Sequence, residues 1–445
     1  MSTPRGKMVN AFDPASLSGL SAETAEAIRR RQRLLGPAYR LFYKDPVQVS
    51  RGQGTKLYDR AGHEYLDAYN NVVPLGHCHP RVVEAVTRQM QTLCTHTRYI
   101  QDGILYYAES LLPGFGGQIG ASGHMMFTCT GSEANDLAMR IARHVTGRRG
   151  IICTAEAYHG NSDLTASFSP SLGDQSPLGA WVRRVPAPDS YRGDPATLGQ
   201  RMAEAVAEHA WELKRHGDGL AAFIADSLFS SDGIFGTPEV LGPVAEAVRA
   251  AGGLFVADEV QSGFARTGAR FWGFQRHGVD PDIVSMGKPM GNGYPVAGIA
   301  IRPEVIAEFG RDTRYFNTFG GNGVAMAAAQ ATLDTIRDEG LQENVVRIGA
   351  LMTEGLRALA ARFPAIGDVR GAGLYLGVEM ILPDGSPDAA AAARIVNDLR
   401  ARRVLISATG PAANVLKIRP PLVFSAADTD RLLTETEAVL AAIYR

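Results

Sequence analysis

LFVADEVQSGFARTGARFWGFQRHGVDPDIVSMGKPMGNGYP, residues 254–295, is the stretch on which the fold turns. It opens with an apolar run, Leu254 to Ala257, of the kind buried on both faces of a parallel sheet. The run ends on two acids, Asp258 and Glu259. A second apolar run, Asp282 to Met286, ends on Gly287-Lys288. A carboxylate and an amine therefore stand at the carboxyl ends of two predicted strands, the edge where open α/β sheets bind ligands.

A lysine amine is a strong nucleophile only when unprotonated, and burial lowers its pKa enough to allow a Schiff base with an aldehyde. Pyridoxal 5'-phosphate is such an aldehyde. Its electron-sink chemistry needs a protonated ring nitrogen, which a buried carboxylate holds in that state. Lys288 with Asp258 suits this cofactor. A capped helix and a solvent-facing lysine would supply the same two residue types, so the decision passes to the surrounding chain.

Upstream, MMFTCTGSEANDLAMRIARHVTG (125–147) reads as strand, turn and helix. The turn Thr130-Gly131-Ser132 opens the helix, whose free N–H groups suit a phosphate; Thr130 with Glu133 also fits a plain capping box. GIICTAEAYHG (150–160) is a strand running into Tyr158, a flat ring able to stack on a flat cofactor, or equally a core tyrosine. Residues 162–198, rich in Ser, Pro, Asp and Gly, read as a long loop at the pocket entrance. A helix over 199–215, a strand over 221–228 and a helix over 238–251 complete an alternation that predicts a mostly parallel sheet. Earlier, residues 22–35 read as a polar helix and residues 47–68 as a short meander around Gly52, Gly54 and Gly62. Residues 1–20 read as a loosely held arm. After Lys288 come a strand, PVAGIAIRP, then RYFNTFGGNG and a helix of small residues. A helix from about 340 to 362 precedes a C-terminal part of strand, helix, short strands and a last amphipathic helix.

DEVQSGFARTG (258–268) followed by GKPMGNGYP (287–295) resembles the signature of the class III, ω-type aminotransferases of fold type I, and the likeness extends over about residues 40–440. It implies an α/β fold, with a large, mostly parallel seven-stranded sheet domain and a small α+β domain. Expected boundaries are 1–75 for the arm and part of the small domain, 76–335 for the large domain and 336–445 for the rest of the small domain. The resemblance implies that Lys288 carries pyridoxal phosphate and moves the proton, and that Asp258 pairs with the ring nitrogen. By the same resemblance Gln261 hydrogen-bonds the ring oxygen, Tyr158 stacks on the ring, and Gly131 and Ser132, in a TGSEAN version of the family's SGSEAN cup, hold the phosphate. Thr318, in TFGGN, would reach the phosphate of a neighbouring subunit, which makes the expected unit a homodimer or a dimer of dimers. Arg419, in VLKIRPPLVFS, would take the substrate carboxylate through its guanidinium fork.

One departure narrows the substrates. Relatives that use 2-oxoglutarate carry EPIQGEGG after the strand equivalent to 221–228, and its last glutamate pairs with the carboxylate-binding arginine. Here the stretch is DSLFSSDGIFG (226–236), with Ser231 in the glutamate's place. The likeness is thus to pyruvate-using ω-aminotransferases and the alanine–glyoxylate type, and also to ethanolamine-phosphate phospho-lyases, which eliminate instead of transferring. The expected function is transfer of an amino group from a primary amine or ω-/β-amino acid to an oxoacid such as pyruvate or glyoxylate. The alternatives are a phospho-lyase or ammonia-lyase acting on an ethanolamine-phosphate-like amine, and an inert structural homologue.

Composition sets outer bounds. With 445 residues, 45% hydrophobic and 20% charged, the chain suits one large α/β domain with a smaller one attached. A net charge of −1 leaves no footprint for nucleic acid or an anionic membrane, and no apolar run approaches spanning length. Arg29, Arg30, Arg31 and Arg33 read as a solvated helix face or a subunit contact. Cys78, Cys94, Cys129 and Cys153 lack CxxC spacing, and the N-terminus lacks a signal core, so a cytoplasmic protein with reduced thiols is expected. His77 and His79 flank Cys78 in LGHCHP, but a metal there would need further ligands, and none is expected.

Overall fold

A computed structural model describes residues 8–444. Among the described residues, three sheets organise the fold. A meander of β1 (Val49–Gln53), β2 (Lys56–Asp59) and β3 (Glu64–Asp67) is joined in parallel, at β3, by a late strand described below. The large sheet contains β4 (His124–Thr128), β5 (Gly150–Thr154), β6 (Val182–Val185), β7 (Leu220–Asp226), β8 (Leu254–Asp258), β9 (Ile283–Met286) and β10 (Ala297–Ile301), in the spatial order β4-β10-β9-β8-β7-β5-β6. Neighbours are parallel from β9 through β6, while β10 runs antiparallel to both β4 and β9. The third sheet takes β11 (Ile366–Ala372), β12 (Tyr375–Met380), β14 (Ser407–Thr409) and β15 (Val415–Ile418), and β13 (Val404–Leu405) is the strand that extends the meander.

The central strands are apolar throughout because both faces are covered. Alternate side chains go to opposite sides. Ile151, Cys153, Ala222, Ile224, Val256, Ile283 and Ile299 pack with the helix Gly131–Thr146. Ile152, Phe223, Phe255, Ala257 and Val284 pack on the other face with the helices Leu198–Arg215 and Leu241–Ala250. Strand register aligns the carboxyl ends: Asp226 stands beside Asp258, and Asp258 beside Ser285. That alignment brings the ends of β7, β8 and β9 to one edge.

Most predicted elements occur where expected, including the helices Ala22–Leu35 and Leu341–Arg362. Residues 162–198 are a correction: they hold a short helix, Asp163–Ala166, and the edge strand β6. VRRV alternates apolar and basic, with Val182 and Val185 buried, and pairs on one side only, so it lacks the apolar run that marks the central strands. Helices Asp102–Leu111 and Pro303–Asp312 also went unread. Of the arm, residues 1–7 lie outside the described residues, and Pro14–Gly19 form a 3-10 turn.

Candidate active site

A cavity of about 350 Å³ opens at that shared edge, with Gly131, Ser132, Tyr158, Asp258, Gln261 and Lys288 among its walls. Each is delivered by a strand end. Lys288 follows β9 and opens a 3-10 turn, with Pro289 next to it in the first-turn position that proline tolerates. Burial lowers its pKa to about 8; the Arg419 charge adds to this, and Asp258 and Asp226 oppose it. At that value a substantial share of the amine is neutral near physiological pH.

Asp258 is buried, and burial alone would raise its pKa. The His159 hydrogen bond and charge, the Val260 N–H and the Asn135 amide outweigh that cost and hold it below the ordinary carboxylate value. His159 Nδ1 lies 2.7 Å from Asp258 Oδ2, Asn135 Nδ2 donates to the same oxygen at 2.9 Å, and the Val260 N–H donates to Oδ1 at 3.0 Å. Asn135 also donates to the His159 carbonyl at 2.8 Å, which ties the three residues into one unit. A fixed, ionised carboxylate at a cavity wall is suited to holding a positive charge opposite it. Glu259, the adjacent acid, has a different fate. It accepts from Ser227, Ser262 and the N–H groups of Gly273 and Phe274, pinning the chain that follows, and burial pushes its pKa up to about 7.

At the cup, Thr130 caps the helix and Glu133 completes the capping box. The Glu133 carboxylate is used by Cys129 and Thr130 N–H groups, and Thr130 Oγ1 takes the Glu133 N–H. The N–H groups of Gly131 and Ser132 have no acceptor among the described residues, and both residues line the cavity. Two unclaimed donors at a helix N-terminus fit a phosphate. The capping box settles the helix and leaves the next two donors free, so it does not compete with a phosphate for them. Gly160 is needed beside them. Its φ is +146°, and a Cβ there would meet Ser132 Oγ at 2.7 Å and Thr165 Oγ1 at 2.6 Å.

Tyr158 is half-buried at the wall, and burial raises its pKa. Gln261 Oε1 accepts from the Tyr375 hydroxyl at 3.1 Å and from Arg419, which leaves its amide nitrogen as a donor. Arg419 is buried; its Nε donates to the Tyr69 carbonyl at 3.0 Å, and its guanidinium lies 4.5 Å from the Tyr69 ring centre. It touches the cavity through Gln261. No carboxylate among the described residues lies within 4.0 Å of it, and Ser231 offers none. Thr318 is exposed and is not a wall of this chain's own cavity. His77 and His79 point to different acids, Asp67 at 2.7 Å and Glu339 at 3.5 Å.

Sequence reasoning left His159 open and missed Asn135. Their partner, Asp258, lies 99 and 123 positions away, so no local pattern announces the contact. The one available signal was a polar residue, Asn135, on the apolar face of its helix, a position that demands a hydrogen-bond partner.

Comparison with known proteins fits this geometry. The family model for class-III aminotransferases matches residues 42–440. A Drosophila melanogaster protein named alanine–glyoxylate aminotransferase 2-like is 39% identical, over 94% of this chain and 87% of its own length. A Caenorhabditis elegans protein named ethanolamine-phosphate phospho-lyase homolog 1 is 35% identical, over 94% of each. Among solved structures, an Arthrobacter phospholyase in complex with phosphoethanolamine superposes with a TM-score of 0.90 at 40% identity, covering 94% of this chain and 99% of that one. A Bacillus anthracis aminotransferase does so with 0.83 at 26% identity, covering 95% and 99%. The chain is a pyridoxal-phosphate-dependent enzyme and belongs to the class III aminotransferase family.

Proposed function

We propose that the enzyme moves an amino group from a primary amine or ω-/β-amino acid to a small oxoacid such as pyruvate or glyoxylate, with Lys288 as the catalytic amine. The observation that carries this is a single cavity holding a lysine of depressed pKa and a buried, ionised Asp258. The bound cofactor supplies an electron sink for charge developing at the amine-bearing carbon. Lys288 Nζ holds the cofactor at rest, and when freed takes the proton from that carbon and later returns one. Asp258 keeps the ring nitrogen protonated, with His159 and Asn135 fixing the carboxylate's orientation. Gln261 donates its amide N–H to the ring oxygen, Tyr158 covers the ring, and Gly131 and Ser132 hold the phosphate. Arg419 faces the carboxylate of the acceptor.

The depressed Lys288 pKa has a measurable consequence. Only the neutral amine attacks an aldehyde, so loading of the apoprotein with pyridoxal phosphate should accelerate about tenfold per pH unit below the pKa and level off above about 8. Stopped-flow absorbance across pH 6–11 checks this; a rate still climbing through pH 10 would mean an ordinary lysine.

We infer a homodimer, or a dimer of dimers, in which Thr318 completes the neighbouring site. Supporting it, Thr318 is exposed beside Phe319, and Tyr99, Ile100, Tyr106 and Phe316 also face solvent; Ile100 is 93% exposed. His96 and Phe316 rings meet at 6.0 Å, so the two loops form one patch that a second copy would cover. No helix among the described residues is long and apolar enough to cross a membrane, and we place the enzyme in the cytoplasm on the strength of four free thiols.

A second reading has its own support: the missing acid opposite Arg419, with the likeness to a phospholyase. As a phospho-lyase, the enzyme would convert ethanolamine phosphate and water to acetaldehyde, ammonia and inorganic phosphate. The carbon–oxygen bond breaks with its electron pair leaving on phosphate, and no external oxidant or reductant is needed. Incubation with ethanolamine phosphate and no oxoacid decides: equal release of phosphate and ammonia supports the lyase, whereas amine consumption that requires pyruvate or glyoxylate supports transfer.

A further inference from the structure

The segment that follows β7, residues 227–236, carries Ser231 and passes twice through the left-handed region, at Phe229 (φ +51°) and Ile234 (φ +63°). A β-branched residue is strained there, and such outliers gather where a site needs a particular shape. The surroundings of Ile234 hold it in place. Its N–H donates to the Phe229 carbonyl at 3.1 Å, and Arg370 Nε donates to the carbonyls of Gly233 at 3.0 Å and Ile234 at 3.1 Å. Arg370 is anchored in turn, through Nη1, to Glu379 Oε2 at 2.6 Å and Asp368 Oδ2 at 3.0 Å. The Ile234 side chain is thereby set against β12, fully buried, in a cluster with Leu228, Tyr375 and Val415 that stands apart from the main core. Gly377 lies two positions after Tyr375, on the same face, and a Cβ there would come within 3.2 Å of Ile234 Cδ1. Tyr375 is the polar member of this cluster. Its ring is fully buried and its hydroxyl donates to Gln261 Oε1 at 3.1 Å. Burial raises its pKa, so the phenol keeps the proton it donates.

Gln261 is a wall of the cavity and Tyr375 is not. An amide can turn either end to a cavity, and the ends differ: the nitrogen donates and the oxygen accepts. Arg419 also donates to Gln261 Oε1, and a guanidinium cannot accept, so the oxygen must face away from the cavity. The last torsion of a glutamine is broad, however, and one donor leaves the amide plane free to swing. Two donors on the same oxygen, from β12 and from the residue just past β15, fix the plane as well. We propose that Tyr375 is a positioning residue that aims the Gln261 amide N–H at the ring oxygen of the cofactor, and that segment 227–236, which has no acid at position 231, acts on the site by packing against Tyr375. This rests on the reading of Gln261 as the donor to that oxygen.

Tyr375→Phe keeps the ring in its cluster and removes one hydroxyl. Two measurements on the holoenzyme read the effect without turnover. A donor on the ring oxygen favours that oxygen's full negative charge, so a poorly aimed amide raises the pH midpoint of the holoenzyme's absorbance change. In Tyr375→Phe the midpoint should rise by roughly half to one pH unit, and cofactor release on dilution should quicken by roughly three- to tenfold, the worth of one hydrogen bond. Tyr107→Phe is the control. The Tyr107 hydroxyl is also buried, has no hydrogen-bond partner among the described residues and lies outside the cavity walls, so both quantities should stay at their wild-type values. Ile234→Ala thins the packing behind Tyr375 and leaves the phenol in place; it should raise the midpoint too, and an unmoved midpoint there would overturn the role given to segment 227–236. Equal effects of Tyr107→Phe and Tyr375→Phe would overturn the positioning role, since both would then report lost core packing. So would a Tyr375→Phe enzyme that matches the wild type while Gln261→Leu raises the midpoint, an outcome that leaves the reading of Gln261 intact. If Gln261→Leu leaves the midpoint in place, that reading falls and the proposal with it.

Discussion

Replacing Lys288 by alanine is expected to remove the Schiff-base absorbance band of the holoenzyme and to lower turnover by roughly 10,000-fold or more, the upper range for a positioned acid–base group. Two functions meet at one nitrogen. In the proposed mechanism Lys288 Nζ would tie the cofactor to the chain, and the same atom would carry the proton. The cavity offers no replacement: its other ionisable walls include Asp226, Asp258 and Tyr158, none of them an amine. The structure also predicts that the loss is catalytic and not a failure to fold. Lys288 has a depressed pKa because burial disfavours its charge, so removing it relieves an electrostatic cost. Thermal unfolding of Lys288→Ala apoprotein should therefore match or exceed that of the wild type, and spectroscopy with turnover assays measures the rest.

The second large effect belongs to Asp258. Asp258→Asn keeps the side chain's shape and removes its charge, and turnover should fall about 100- to 1,000-fold, as when one preorganised electrostatic group is lost from a site. The carboxylate takes three donors, from His159, Asn135 and Val260. An amide can accept on only one of its two atoms, so at least one donor loses its acceptor at a cost of about 1–3 kcal/mol. Cofactor should still load through Lys288 in this variant, with a shifted absorbance maximum. Loading with wild-type turnover would show that the ring nitrogen has no need of this acid.

The two strand ends that carry Asp258 and Lys288 were legible because central parallel strands must be apolar on both faces, so their polar terminators stand out. The turn that carries Gly131 and Ser132 was legible because a capping box marks the first turn of a helix, while their assignment to a phosphate came only from the family resemblance. Other features were not. Asp258 and Glu259 look alike in sequence, yet the first accepts from His159 at a cavity wall and the second is enclosed beneath Gly273 and Phe274. That difference is set by strand alternation and by a loop returning many positions later. His159 and Asn135 owe their place entirely to such long-range contact. Lys417 was passed over because a lysine in a short strand ordinarily marks a solvated edge; pairing of β15 on both sides, with β12 and β14, is what buries it. β6 was lost in a stretch rich in turn-forming residues, where one-sided pairing leaves little apolar signal.

Borohydride reduction of the holoenzyme, followed by peptide mapping, addresses the covalent attachment itself. Lys417 makes this a sharp test, since it too is a buried lysine whose pKa burial lowers. The account predicts that the reduced cofactor is found on the peptide containing Lys288 and on no other. Label on Lys417, or a peptide map in which Lys288 is unmodified, would contradict it.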